Sequence, residues 1–226
     1  GIGSESIADT SKILSTYGNA FMLRTDSDKK LDEFKKYSSI PIINGLSPSS
    51  HPTQVLSDIF TIQEIKKKSI SKLKLCWIGD ANNNMMNSLI EACIKFSVSL
   101  NIACPKGYQP NKMLISMIKK QKGKIKIFNK KEIAVKNSDV VMTDKIISLN
   151  DKVNKKKKLK SFKNFKVDTK TMKLAKKDAI FLHCLPRGSE VTEEVFLGKQ
   201  SKVWQQALNR VYVQKSILLY CFGKLR

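Results

Sequence analysis

The sequence predicts an α/β fold, and three observations support this prediction. Helix-patterned and strand-patterned segments alternate along the whole chain, and several strand-like runs stop at one polar residue. The apolar run 72–78 leads into Gly79 and a further helix, a strand, turn and helix order typical of a Rossmann-like sheet, although no Gly-x-Gly-x-x-Gly pattern is present. Ligands bind at the carboxyl ends of parallel strands, so the polar strand ends are candidates for one site.

Length and composition predict a soluble globular protein. The chain has 226 residues and 41% hydrophobic content, and no apolar run approaches the roughly 20 residues that a bilayer span needs. No signal peptide is visible, and the first residue is Gly1, so we expect a fragment of a longer protein. The 5 cysteines are widely spaced and suggest neither disulfides nor a zinc cluster, and the 2 histidines exclude a histidine-rich metal site. A reducing cytoplasm is the simplest location.

The charge balance leaves two interpretations open. The chain has 42 Lys and Arg against 19 Asp and Glu, a net charge of +23, which raises a nucleic-acid hypothesis. The excess is mostly Lys, and Asn and Ile are also abundant, as an A+T-rich coding sequence produces. A positive surface also concentrates anionic substrates near clefts.

The segment before residue 51 predicts two helices and two short strands. The first strand ends at Arg24, a polar strand end, and the second leads into the turn-rich loop 44–50. The predicted elements are helices 4–17 and 28–37 and strands 20–23 and 40–43.

A helix over 52–67 begins at His51-Pro52-Thr53-Gln54. Pro52 fits the first turn, and His51 and Gln54 share one face at the helix N-terminus. Unpaired N–H groups and positive potential there suit a carbonyl or phosphate oxygen. The alternative is that His51 only caps the helix.

A charged connector over 66–72 marks a domain boundary before the strand that ends at Gly79. Asn82, Asn83 and Asn84 follow, and their amides suit a zwitterionic amino acid better than a pyrophosphate. Asp144 follows another strand end. The further elements are a helix through about 96, strands 99–103, 124–128 and 139–142, and helices 113–122 and 131–137.

The Lys-rich segment 151–166, with lysines at each position of 155–158, predicts a solvated helix and loop. An RNA contact there is an alternative, but no interleaved aromatic platform supports it. A helix over 168–177 follows.

The stretch 178–187 organises the rest of the chain. Its apolar run stops at His183 and Cys184, and Pro186 prevents a regular continuation. This pattern is typical of a buried strand that ends at a crevice, with its last side chains facing the crevice. Cys184 is therefore a site candidate, and the alternative is a small hydrophobe in the core.

After a short helix over 192–196, the last helix, 203–222, carries Arg210 among core-seeking residues. Arg210 is either a snorkelling surface residue or a buried anion ligand.

Five motifs together resemble the aspartate/ornithine carbamoyltransferase family over essentially the whole chain. The thiol-containing motif is similar to the ornithine-specific members rather than the aspartate-specific ones. The motifs are His51-Pro52-Thr53-Gln54, Trp77-Ile78-Gly79-Asp80 with Asn82-Asn83, Thr143-Asp144 with Ser148, His183-Cys184-Leu185-Pro186, and Asn209-Arg210.

The resemblance implies transfer of a carbamoyl group from carbamoyl phosphate to the δ-amine of ornithine, giving citrulline and phosphate in arginine biosynthesis. It implies no metal, no cofactor and no covalent enzyme intermediate. Asp144 and Cys184 would steer deprotonation of the amine, whose ordinary pKa is ~10. The implied carbamoyl-phosphate ligands are Arg24, His51, Gln54, Cys184, Leu185 and Arg210, and the implied ornithine ligands are Asn83, Asp144, Ser148 and Leu149.

The resemblance also implies a two-domain carbamoyltransferase fold with the first domain only partly present. Residues 1–66 would form the partial carbamoyl-phosphate domain, 67–202 the ornithine domain, and 203–226 a helix returning to the first domain. A homotrimer is implied for the intact protein, without membrane or nucleic-acid partners. The implied location is the cytoplasm of a bacterium or the mitochondrial matrix of a eukaryote.

The chain departs from the family pattern in ways that shape two expectations. The family's Ser-Thr-Arg-Thr-Arg phosphate loop is not found, so we expect a fragment that lacks the main phosphate-binding segment of the family. Leu149, Asn150 and Leu208 stand where the family has Met, Gly and Glu. The alternatives are a carbamoyltransferase for putrescine or N-acetylated ornithine, and a non-catalytic, lysine-rich nucleic-acid binder on the same scaffold.

Overall fold

The computed structural model describes residues 5–147 and 154–225, and its strands form two parallel sheets there. The α/β prediction is confirmed. β1 (Phe21–Arg24) pairs with β2 (Ile42–Leu46). The larger sheet has the order β5-β4-β3-β6-β7 and contains β3 (Lys74–Ile78), β4 (Ser99–Ala103), β5 (Ile125–Phe128), β6 (Val140–Thr143) and β7 (Ile180–His183).

Helices connect the strands, and several begin where a polar side chain accepts a backbone N–H of the first turn. Asn83, Asn111 and Asp168 cap their helices in this way. Within the described residues, no helix is long and apolar enough to cross a membrane. The helices are α1 (Ile7–Tyr17), α2 (Asp28–Tyr37), α3 (Pro52–Lys66), α4 (Asn84–Lys95), α5 (Lys112–Lys120), α6 (Lys131–Val135), α7 (Lys155–Ser161), α8 (Thr169–Leu174), α9 (Glu193–Phe196) and α10 (Val203–Cys221).

The order of the larger sheet reverses at β3, because β4 and β5 continue on one side of it and β6 and β7 on the other. Each face of this sheet is covered by its own apolar cluster, which explains why the central strands are buried throughout. Such a reversal opens a crevice at the carboxyl ends of β3 and β6. The larger sheet therefore places the residues after Ile78 and Thr143 beside one cleft.

α3 and α10 pack against each other through polar side chains. Leu56 and Phe60, which the sequence marks as apolar helix positions, are exposed, while Asp58 and Thr61 are fully buried. Asn209 of α10 donates to Thr61 Oγ1 at 2.9 Å. α3 therefore turns a polar stripe towards α10. The division of the chain at residues 66 and 202 stays a prediction.

The predicted solvated helix and loop over 151–166 is mostly exposed in its described part, 154–166, with three exceptions. Lys158, Phe162 and Phe165 are buried. The Lys158 ammonium lies 2.7 Å from the Asp80 carboxylate, which is also buried, and close to the Tyr108 ring. Charge pairing and aromatic contact thus bring one member of a lysine run into the interior.

Candidate functional site

A cavity of about 440 Å³ lies between the start of α3, the middle of α10 and the carboxyl ends of β6 and β7. It draws together side chains that are far apart in the sequence. Asn84, from the asparagine run noted in the sequence, also lines it, as do Met85 and Lys145, which the sequence did not single out. The predicted site residues on its walls are Arg24, His51, Gln54, Asp144, Cys184, Leu185 and Arg210.

His51 occupies the N-cap position of α3, but its side chain makes no capping hydrogen bond. Its backbone N–H donates to Ser88 Oγ at 2.8 Å, which fixes the residue at the cavity wall. Burial, together with the charges of Arg210 and Arg24, lowers the pKa of His51 to about 4. The imidazole is therefore neutral at physiological pH and is able to donate one N–H.

Arg210 lies half-buried on the cavity wall, where its Nη1 donates to Gln54 Oε1 at 2.6 Å. This position fits the anion-ligand alternative rather than a snorkelling surface residue. Arg24, at the end of β1, is exposed and lines the same cavity. Two guanidinium groups thus give this end of the cavity a positive potential suited to a phosphate.

Asp144 follows β6 and is half-buried, with its carboxylate accepting the Lys145 N–H at 2.7 Å. Burial raises the pKa of Asp144, and the charges of Glu190 and Asp80 add to this effect. A carboxylate with a raised pKa holds a proton more readily than an ordinary aspartate. Asp144 is therefore suited to accept a proton from a bound amine.

Cys184 follows β7 and is half-buried on the cavity wall, whereas Cys76, Cys93 and Cys104 are buried in the core. Cys184 thus packs against the core on one side and faces the cavity on the other. Burial raises the pKa of the Cys184 thiol well above its ordinary value, and the charges of Asp144 and Asp58 raise it further. A neutral thiol is a poor proton acceptor, so of the two candidate bases the structure favours Asp144.

The loop after Cys184 is braced by a buried pair, His183 and Glu190, whose contact was not predicted from the sequence. His183 Nε2 lies 2.8 Å from Glu190 Oε1, and the Gly188 N–H donates to the same oxygen at 2.5 Å. Burial opposes ionisation of Glu190, but the His183 and Gly188 donors hold its pKa below the ordinary value. Glu190 thereby closes the loop that carries Cys184 and Leu185.

Asn83, the predicted ornithine ligand, does not line the cavity as described, and its binding role stays a prediction. Its Oδ1 accepts the Met86 N–H at 2.8 Å and its Nδ2 donates to the Asp80 carbonyl, so both ends of the amide serve the start of α4. The next residue, Asn84, lines the cavity instead and donates to the Ser47 carbonyl at 2.9 Å.

Two further predicted ornithine ligands, Ser148 and Leu149, lie outside the described residues. Over 5–147 and 154–225, no group of three or more His, Cys, Asp or Glu side chains is placed to hold a metal ion. The chemistry of the described cavity is therefore that of its arginines, neutral imidazole, amides, carboxylate and thiol.

Two family models match the chain and together span most of it. The "aspartate/ornithine carbamoyltransferase, carbamoyl-P binding domain" matches residues 2–64, and the "aspartate/ornithine carbamoyltransferase, Asp/Orn binding domain" matches residues 71–221.

Curated relatives and solved structures resemble the chain over most of their own length. An ornithine carbamoyltransferase of Caldicellulosiruptor saccharolyticus is 44% identical, with 98% of this chain and 73% of the relative covered. The anabolic ornithine carbamoyltransferase of Campylobacter jejuni has a TM-score of 0.91 at 38% identity, covering 98% and 75% of the two chains. The ornithine carbamoyltransferase of Pyrococcus furiosus has a TM-score of 0.89 at 38% identity, with 99% of this chain and 72% of that structure covered.

Proposed function

This chain belongs to the aspartate/ornithine carbamoyltransferase family, and we propose that it transfers the carbamoyl group of carbamoyl phosphate to the δ-amine of L-ornithine. The products are L-citrulline and phosphate, and the reaction is a step of arginine biosynthesis. The observation that carries the proposal is the meeting of paired arginine and glutamine, neutral histidine, aspartate and thiol around one cavity.

The arginine end of the cavity is the proposed site for carbamoyl phosphate. Arg24 and Arg210 hold the phosphate oxygens, and His51 donates an N–H to the carbamoyl oxygen. Gln54 is held by Arg210 at its oxygen and donates one amide N–H to the buried Asp58, which leaves its other N–H as a donor for the carbamoyl group. Charge that develops on the carbonyl and leaving-group oxygens is thereby stabilised.

The other end binds ornithine, and Asp144 prepares its amine. The δ-ammonium has an ordinary pKa of ~10 and must lose one proton before it attacks. Asp144 accepts that proton, the amine nitrogen bonds to the carbamoyl carbon, and the bond from that carbon to the phosphate oxygen breaks. The phosphate leaves with the electron pair and takes the second amine proton, so no covalent enzyme intermediate is needed.

Holding both substrates in one cavity supplies a further contribution. An oriented pair of reactants is worth ~7–11 kcal/mol relative to free reactants in solution. Cys184 and the backbone of Leu185 lie at the cavity wall, and we assign them contacts at the reacting centre rather than proton transfer. The homotrimer and the cellular location implied by the resemblance stay predictions.

The test is product formation by the purified chain with carbamoyl phosphate and each of three amines. We expect citrulline from ornithine, and a much lower kcat/KM with putrescine and with N-acetylornithine. A preference for either alternative amine would contradict the ornithine assignment.

The nucleic-acid alternative needs a separate measurement because the chain is strongly basic. Salt-sensitive RNA binding by a chain that forms no citrulline would favour that alternative. If the chain alone is inactive, supplying the segment that carries the family's phosphate loop should restore turnover, and failure to do so would contradict the proposed activity.

A further inference from the structure

A second carboxylate, Asp58, lies behind the cavity wall and has no role in the chemistry described above. It is fully buried on α3, one helical turn after Gln54. Its Oδ1 accepts hydrogen bonds from Gln54 Nε2 at 2.8 Å and from Gln206 Nε2 at 2.7 Å. Its Oδ2 is buried and has no hydrogen-bond partner among the described residues. One oxygen of Asp58 thus holds two amide groups, from α3 and from α10.

Both amides are fixed at their other ends as well. Gln54 Oε1 accepts from Arg210, and Gln206 Oε1 accepts the backbone N–H of His183 at 3.0 Å. A carboxylate only accepts hydrogen bonds, so Asp58 dictates that each glutamine turns its nitrogen inwards. Gln54 is therefore held with its oxygen on Arg210, while Gln206 ties the end of β7 to the same carboxylate.

Resting on the function proposed above, we propose that Asp58 is a positioning residue for carbamoyl transfer. It acts through Gln54, whose amide it orients towards the carbamoyl group and towards Arg210. It does not touch either substrate. The part of Asp58 that matters is an acceptor oxygen at the position of Oδ1.

The ionisation of Asp58 is consistent with this role. The pKa of Asp58 is raised to about 6, mainly by burial and to a lesser extent by the Asp144 charge. The hydrogen bonds from Gln206 and Gln54 and the Arg210 charge oppose this rise. The titratable groups that interact with the Asp58 carboxylate from other elements are Asp144 after β6 and Arg210 on α10. The Asp58 charge also raises the pKa of Cys184 after β7. Above about pH 6 the carboxylate is ionised and is the stronger acceptor.

The experiment compares Asp58→Asn with Asp58→Leu. Asparagine keeps an acceptor oxygen for both amides, so we expect kcat/KM for carbamoyl phosphate within about fivefold of wild type. Leucine removes the acceptor, and we expect that parameter to fall at least tenfold while the KM for ornithine changes less than twofold. Equal impairment of the two variants, or none in either, would overturn the proposal.

A double-mutant cycle separates positioning from general destabilisation. In a Gln54→Ala background, Asp58→Leu should lower kcat/KM by less than twofold more, because its target is already absent. A full tenfold further loss would overturn the proposal.

Thr61→Val is the matched control. It removes another buried hydrogen bond between α3 and α10 without touching Asp58, and it should lower Tm while leaving kcat/KM for carbamoyl phosphate unchanged. If Asp58→Leu does not fold, Asp58→Asn decides alone, since a tenfold loss at unchanged Tm contradicts the proposal.

A binding measurement keeps this inference separate from the activity itself. The rise in Tm caused by carbamoyl phosphate measures ligand binding at the Gln54 site and does not require turnover. An absence of citrulline from the wild-type protein, even after the segment that carries the family's phosphate loop is supplied, contradicts the proposed function. An equal Tm rise in wild type and Asp58→Leu contradicts the role of Asp58.

Discussion

The two walls of the cavity differ in how far the protein has already arranged them. On the wall made by α3 and α10, Arg210, Gln54, Asp58 and Gln206 form one continuous chain of hydrogen bonds. On the opposite wall, the Asp144 carboxylate accepts only the Lys145 N–H among the described residues. The first wall is thus organised before a ligand arrives, as charge stabilisation requires, while Asp144 retains free acceptor capacity for a substrate.

Asp144→Asn is expected to have the largest effect, because it removes the proton acceptor from the less ordered wall. We expect kcat with ornithine to fall by ~10²–10⁴-fold, with carbamoyl-phosphate binding nearly unchanged. Since the base must be ionised and its pKa is raised, wild-type kcat should decline as pH falls through that raised pKa, and the variant should lack this limb. The pH profile of kcat measures both effects. A loss confined to carbamoyl-phosphate binding would contradict the assignment of Asp144 to the ornithine wall.

Arg210→Met breaks the ordered wall at its cationic end. Truncating one partner of a buried charged hydrogen bond costs ~2–5 kcal/mol, so carbamoyl phosphate should bind at least ~30-fold more weakly. Calorimetric titration gives the affinity directly. Lys215→Met removes an equal charge from the exposed side of α10 and serves as the control. Equal binding by Arg210→Met and Lys215→Met would remove Arg210 from the anion site.

Cys184→Ala tests whether the thiol assists the reacting centre. We expect turnover to fall about tenfold, the size of a lost contact of ~1.4 kcal/mol, with carbamoyl-phosphate binding largely intact. Cys221→Ala, at the far end of α10 and outside the cavity lining, is the control. Steady-state kinetics decide the matter, and unchanged turnover in Cys184→Ala would exclude the residue from the mechanism.

The last prediction concerns the pH dependence of stability rather than catalysis. The pKa of Asp58 is raised from 3.8 to about 6, so the folded state binds its proton more tightly than the unfolded state. The contribution of Asp58 to the free energy of unfolding is favourable below about pH 4 and is lost as the pH rises through about 6. Wild type should therefore lose up to about 3 kcal/mol relative to Asp58→Asn between pH 4 and 7. Chemical unfolding at several pH values measures this, and a constant difference would argue against the buried, ionised carboxylate.

Much of the fold was predictable because parallel strands bring their ends to one edge. Arg24, Asp144 and Cys184 were found as polar residues at the ends of strand-like runs, and the structure places them on one cavity. Their roles in binding and catalysis stay predictions.

The missed features depend on packing that a one-dimensional pattern does not record. Which of Asn83 and Asn84 caps α4 depends on the residue at which the helix begins, the least certain part of a sequence prediction. Asp58 was missed because α3 was assessed by its apolar residues, although Gln54, Asp58 and Thr61 repeat at helical spacing as a polar stripe. That stripe was the available signal.

Lys158 has a chemical consequence that the composition of the chain conceals. It continues the run of Lys155, Lys156 and Lys157, which are exposed, but its own amine is enclosed beside Asp80. An amine-acylating reagent should modify the first three quickly and reach Lys158 only when α7 detaches from the end of β3. The extent of acylation at this single lysine would then report how often that region opens, within a protein whose surface is otherwise densely reactive.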